Sequence, residues 1–596
     1  MRQASRLGKS KIEDRVTNGL SSLEKTIRAP NTLPISTTSI TNTLKKSDER
    51  KENLSIEEQS EMKQDSTSSS TSKLVPVIGL NTHEIDPFFG SQIDLDGHKS
   101  NDQCWEHFDF GMLEDWDAKN EIFCAPILSD GNTDILLKAN DLLPPNFEQD
   151  NTQTDIDQKQ KNTRKTYQDD NLSWLRCRVT VDSHLPPPTA PHTMCDGANI
   201  VFDASLLQPT HCLDSRSGYK CDGPPIHWRF FQGAFSPRNP NGCKVMPSFI
   251  PTSFPQDHLR DMFSSFSSTF AQSSSQLLTS SSSTIGKVVL LFARERAEHA
   301  NPFHATTDFM NAFFSLHLAG VLSGIKGSRK GIENVQVILL DEQVGPYDTD
   351  FISTVFSPNF EILRVSSMQT SGKTKILLPH AIFSPPGYSN FFLAHVDSEG
   401  DCHAGTQLLQ SFRQFVLSAF PSTMSLLIPK FSNPMTDPII VTLISRRPYD
   451  RFVQHSFIGR QIDNEDELIS ALSSEPGVIV TRHDFAQFKS VEEQLAVIAK
   501  TEVLVAMHGA ALTYAIYLPA HASVLEFWPK AIDMWRCFEH IAAMSGLQYL
   551  RWANPDPSAF RTDINGDYTR IDLREVSKKF SELVQGARER RTAKRK

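Results

Sequence analysis

Short apolar runs and amphipathic segments alternate through the second half of the chain. The runs fall at 288–292, 335–340, 439–444, 478–481, 503–507 and 524–527 and are rich in valine, isoleucine and leucine. Runs of this length and composition read as buried strands. Between them, residues 309–321, 408–419, 465–473, 491–500 and 535–545 read as helices. Helices that alternate with short strands imply parallel sheets covered on both faces, so the predicted class is α/β. "SNPMTDP", 432–438, carries two prolines and reads as a linker between two such sheets. Upstream, "ANIVFDASLL", 198–207, reads as a strand and turn.

The pattern fades before residue 172. "STSSSTSK", 66–73, and "FEQDNTQTDIDQKQKNTRKTYQDDN", 147–171, hold too little apolar area to offset the entropy of ordering. Residues 1–170 are therefore expected to be largely disordered. "CWEHFDFGMLEDW", 104–116, is the exception, with enough aromatics to dock. A serine-rich run at 264–284 reads as an insertion. The expected divisions are 1–170, 171–431, 432–570, and a C-terminal helix with a basic tail at 571–596.

Composition narrows the function classes. The chain has 596 residues, 39% of them apolar, and a net charge of −10 with both signs mixed. No nucleic-acid footprint follows from that. The basic cluster 588–596 reads first as a solvated helix end. Nine cysteines form no CxxC pair, which argues against a zinc ribbon, and seven cluster between 104 and 243. That clustering is compatible with disulfides in an oxidising compartment. No run of about 18 apolar residues occurs, so membrane contact is not expected. The first residues lack a signal-like apolar core, so the chain reads as cytosolic or as missing its native start.

Three segments carry candidate chemistry. "MHGAALT", 507–513, follows a strand. Its Gly509, Ala510 and Ala511 let a ligand approach the backbone, and a helix start after them suits a phosphate. His508 adds a donor at the strand tip. A tight turn around a packed histidine is the competing reading. In "VTLISRRPYDRFVQHSFIGRQIDNEDEL", 441–468, a strand ends at Arg446 and Arg447, and Arg460 follows a loop. Guanidinium forks suit paired phosphate oxygens, although surface arginines are equally expected there. Asn464 and Glu467 read as a capping box. In "NPFHATTDFMNAFFSLH", 301–317, Asn301, His304, Asp308 and Asn311 are spaced for one helix face. Asp308 is a candidate general base with His304 beside it, and helix capping is the alternative.

In this order the segments resemble glycosyltransferase family 61. The resemblance rests on Ala506, Met507, His508, Gly509, Ala510, Ala511, Leu512 and Thr513, then Leu518–Pro519 and a strand ending in Glu526. Upstream, Arg446, Arg460, Ile462, Asn464, Glu467 and Leu468 match a second motif. "NPFHATTDFMNAFF", "CDGANIVFDASLL", "SVEEQLAVIAKTEVLV" and "LQYLRWAN" match other segments, so the likeness covers about 175–590. One branch's Asp-Tyr-Asp motif falls at Asn359-Phe360-Glu361, which leaves the sugar open. Asp348-x-Asp350 has DxD spacing, as do two other pairs, and reads as chance rather than as a metal site.

The resemblance implies a GT-B type fold, with two Rossmann-like domains whose parallel sheets face each other across a cleft. The 171–431 domain would be acceptor-side and the 432–570 domain would hold the nucleotide sugar. It implies inverting transfer from a UDP-sugar, UDP-GlcNAc first and UDP-xylose or another pentose second. The acceptor would be a Ser/Thr hydroxyl of a protein, an EGF-like domain among them, or a glycan. Arg446, Arg460, His508, Gly509, Ala510, Ala511, Thr513 and Glu526 would bind the donor. Asp308 or His304 would serve as base, with Asn301 and Asn311 on the acceptor side. No cofactor or metal is expected, and the implied compartment is the endoplasmic reticulum or Golgi lumen. A non-catalytic nucleotide-sugar binder is the rival class.

Overall fold

Two large sheets, of nine and five strands, form the framework of the described residues. The computed structural model describes residues 109–126, 172–179, 193–210, 227–238, 242–245, 261–268, 286–294, 300–322, 327–387, 405–427, 431–447, 449–451, 453–455, 458–529 and 535–593. The expected disorder of 1–108 and 127–170, and most of the serine-rich run, lie outside the described residues.

The first sheet begins within the region expected to lack structure. Helix α1 (Phe110–Ala118) and strand β1 (Glu121–Pro126) are followed by β2 (Trp174–Val179), β3 (Thr193–Asp203), β4 (Phe235–Pro237) and β5 (Cys243–Val245). Then come β6 (Val288–Phe292), helix α2 (Pro302–Leu318), β7 (Val335–Leu339), β8 (Leu363–Arg364) and β9 (Lys375–Ser384). The strands lie in the order β8-β7-β6-β9-β3-β2-β1-β5, with β4 also on β3. The β8-β7-β6-β9 part is parallel. The β9-β3-β2-β1-β5 part is antiparallel. The sheet is therefore mixed, where a parallel one was expected. The strand expected from residue 198 is the end of β3, whereas β2 was not expected because arginines interrupt the apolar run of "WLRCRV". Helix α1 is ordered by its apolar face, which buries Phe110, Met112, Leu113 and Trp116.

Both disulfides among the described residues staple this antiparallel half. Cys177 joins Cys195 across β2 and β3, and Cys124 joins Cys243 across β1 and β5. A buried charge network lies beside the first. Asp196 accepts from Arg176 Nε and Nη2 at 2.9 and 3.1 Å and from Arg178 Nη1 at 2.7 Å. Arg178 also reaches Asp117 at 2.7 Å and the Leu318 carbonyl at 2.9 Å, which ties the β2–β3 pair to the ends of α1 and α2.

The second sheet follows helix α3 (Gln407–Leu417). Its elements are β10 (Ile439–Ile444), α4 (Glu465–Ser473), β11 (Val478–His483), α5 (Val491–Ile498), β12 (Val503–Met507), β13 (Ser523–Trp528), α6 (Cys537–Met544), β14 (Gln548–Ala553) and α7 (Leu573–Ala593). The order is β11-β10-β12-β13-β14, and every pairing is parallel. The chain steps from β10 to one side and then returns to build on the other. The switch point therefore lies between the carboxyl ends of β10 and β12. One hydrophobic cluster runs from α1 and α2 through α3 to α5, residues 512–518 and α6, so helices between the two sheets share a core.

Two local expectations are corrected. Asn464 does not cap α4. Its amide accepts from Ile571 N at 2.7 Å and donates to Ile571 O at 3.0 Å, which docks the start of α7, while Glu467 pairs with Arg570. The basic end of α7 is not solvated throughout. Arg591 is buried, pairs with Glu502, stacks on Phe431 and donates to the carbonyls of Pro434, Asp437 and Pro438. It fastens the 432–438 linker to the second sheet. No helix among the described residues is long and apolar enough to cross a membrane.

Candidate functional site

Register brings the site together. Ile444 pairs with Ala506, so β10 and β12 end side by side and deliver Arg446 and His508 to one edge. Arg446 Nη1 donates to the His508 carbonyl at 3.3 Å. A methyl group added to Gly509 would lie 1.9 Å from that nitrogen, so the guanidinium occupies the space a side chain would take. Arg447 turns away to Glu465 at 3.2 Å, as strand alternation requires.

His508 is buried beneath the turn. Its Nδ1 lies 2.5 Å from Glu526 Oε1, and its ring sits 3.9 Å from Trp528 and 5.0 Å from Phe538, centroid to centroid. Arg460 completes the group. Burial lowers its pKa, and the charge of Glu526 is among the influences that oppose that shift. Its backbone adopts φ 62°, the left-handed region that costs a non-glycine residue energy. Such strain persists where surrounding structure demands it, often at a binding site.

The helix after Gly509 is a 3₁₀ helix, Ala510–Tyr517, rather than an α-helix. Ala510 and Ala511 are half-buried in its first turn and pack against the shared core. Thr513 points elsewhere. It lines a small pocket between this segment and α2, together with Thr306, Phe309, Tyr347 and Tyr517, and its buried hydroxyl has no partner among the described residues.

Helix α2 approaches the same edge through ring contacts. Phe303 lies 5.7 Å from Phe538, which in turn touches His508. His304, half-buried in the first turn, has its ring 5.6 Å from that of Phe303, centroid to centroid. Asn301 caps the helix, accepting from Phe303 N at 3.0 Å. Asp308 is fully buried and accepts from Gly387 N at 2.7 Å. Asn311 donates to the Pro386 carbonyl at 2.9 Å. Both hold the 385–387 segment against α2, a contact that spacing within the helix could not reveal. Asp348 pairs with Arg294 and Arg364, so its carboxylate serves an ion-pair network. Among the described residues, no three His, Cys, Asp or Glu side chains gather as a metal-binding group.

Sequence reasoning missed Tyr549, whose hydroxyl donates to Glu526 from the neighbouring strand. The only signal would have been the register of β13 on β14.

Doubly wound sheets take their ligands at the switch point, and here Arg446 and a glycine turn lie there. The class is thus a mixed α/β protein whose second sheet is parallel and doubly wound. Residues 303–525 match the model of the family Glycosyltransferase 61. It is similar to proteins described as EGF domain-specific O-linked N-acetylglucosamine transferase. The one from Drosophila melanogaster is 28% identical over 262 residues, 43% of this chain and 44% of that protein. Those from Gallus gallus and Mus musculus are 26% and 24% identical over 257 residues each, covering 42% and 43% of their own lengths. The chain thus spans less than half the length of these relatives.

Proposed function

We propose that this chain transfers a sugar from a UDP-sugar, UDP-GlcNAc first among them, to a Ser/Thr hydroxyl of an acceptor protein. The observation that carries the reading is the convergence of Arg446 and the His508–Gly509 turn at the switch point of a parallel sheet, within the segment that matches the glycosyltransferase 61 model. In this reading the two sheets form the halves of a GT-B arrangement. The diphosphate lies against Arg446 and the Gly509–Ala511 turn, and Thr513 faces the pocket beside α2. The acceptor oxygen attacks the anomeric carbon from the side opposite UDP, so the configuration inverts. The new C–O bond forms as the bond to the β-phosphate oxygen breaks. His304 takes the hydroxyl proton, and Asp308 holds the segment beside it. UDP leaves with its developing charge met by fixed guanidinium and peptide dipoles, the kind of preorganised stabilisation that dominates many active sites.

EGF-like domains are the first acceptors to try, because the relatives' names specify them. The two disulfides fit an oxidising compartment such as the endoplasmic reticulum or Golgi lumen. The test is incubation of the full chain with folded EGF-like domains and a panel of UDP-sugars, read by UDP release and intact mass. A mass gain of one N-acetylhexosamine supports the reading, and a pentose gain shifts the donor to UDP-xylose. Binding of UDP-sugars without turnover on any acceptor would make the chain a binder. Activity is expected to survive EDTA, because the charge on UDP is met by arginine and backbone.

Gly509→Ala is expected to leave the fold intact, because only the mobile end of Arg446 must move to admit the methyl group. That movement carries the guanidinium off the diphosphate. UDP affinity measured by calorimetry should fall by about tenfold, the size of one charged hydrogen bond.

A further inference from the structure

Glu526 lies in β13, and its carboxylate is 1% exposed. One oxygen faces His508 Nδ1 at 2.5 Å, and the other accepts from the Tyr549 hydroxyl. An ionised carboxylate can only accept, so the hydrogen between it and the ring sits on Nδ1. Burial, and then the Glu526 charge, push the Tyr549 phenol far up, so it remains a donor. The Trp528 and Phe538 rings pack against the imidazole, and Nε2 has no partner among the described residues. This histidine therefore has one nitrogen committed and one open, on the turn whose carbonyl Arg446 holds.

We propose that Glu526 and Tyr549 are positioning residues that fix the hydrogen on His508 Nδ1, so that Nε2 takes up a proton and donates it to an oxygen of the bound diphosphate. The proposal rests on the reading of this edge as a UDP site. No covalent bond changes. One proton from solvent goes to Nε2 as the nucleotide binds, and it is released when the nucleotide leaves. The imidazolium then lies between two anions, Glu526 and the diphosphate. Arg446 and Arg460 oppose that charge until the diphosphate arrives. The Cys537 thiol, pushed up to about 12 by burial and by Glu526, stays protonated and adds none. Without the Tyr549 hydroxyl, Glu526 loses a donor and draws the shared proton away from Nδ1.

The test is calorimetric titration of the full chain with UDP near neutral pH, in two buffers of different ionisation enthalpy, which counts the protons exchanged. The wild type is expected to take up protons on binding. Tyr549→Phe should bind UDP about tenfold more weakly and take up fewer protons. Glu526→Gln, which keeps the shape without the charge, should also take up fewer. Thermal melts confirm that each variant is folded. Proton uptake by folded Tyr549→Phe equal to that of the wild type, whatever its affinity, would overturn the proposal and leave Tyr549 a packing residue. A wild type that binds no UDP would instead remove the site reading beneath it.

Discussion

Arg446→Ala should weaken UDP binding by about ten- to a hundredfold while leaving the melting temperature unchanged. The expectation follows from where the side chain goes. Arg446 follows β10 by two residues, and its fork lies over the His508–Gly509 turn, holding a carbonyl at 3.3 Å. A guanidinium carries five N–H donors in a planar fork, a geometry that matches paired phosphate oxygens. Lysine at 446 keeps the charge but not the fork, so it should restore only part of the affinity. Arg447→Ala serves as the internal control. Arg447 is exposed and engages Glu465, so its loss should change UDP affinity by less than about threefold. Calorimetry with UDP on the three variants checks the series.

Asp196→Ala should destabilise the fold by about 3–5 kcal/mol, the cost of removing one member of a buried ion pair. The carboxylate neutralises two guanidinium groups, and both arginines would be left in the interior without it. Burial alone would push the Asp196 carboxyl up, but the Arg176 and Arg178 charges, the nearby His380 ring and the bond from Arg176 hold it well below the usual range. Its pKa is thus lower folded than unfolded. The stability it contributes is present above the unfolded value of about 3.9 and is lost as pH falls toward the folded value. Chemical denaturation at neutral pH and near pH 3 should show the wild type approaching Asp196→Ala in stability at the acid end.

The second sheet was legible because parallel strands are buried on both faces and read as unbroken apolar runs. Residues 439–444 and 503–507 were expected as strands, and both are. Their shared edge followed from that, and with it the approach of Arg446 to His508. What the sequence hid were partners distant along the chain. Asn464 has the type and position of a helix cap, yet it bonds Ile571, 107 residues away. Asp308 has the spacing of a base beside His304, yet it bonds Gly387, 79 residues on. Arg591 looks like part of a solvated tail, yet it is buried against the linker carbonyls. In each case a polar residue satisfies a buried backbone or charge demand that no local pattern encodes. Helix α2 itself begins at Pro302, seven residues before the expected start, because the Asn301 cap and Pro302 open it.

The central claim is that a nucleotide diphosphate binds where β10 and β12 end. Hydrogen–deuterium exchange of the full chain, with and without saturating UDP, tests it most directly. The account expects new protection in peptides covering 445–447, 458–462 and 507–513, with little change along β1 to β5. Protection confined to other segments, or none at all under saturating UDP, would contradict it.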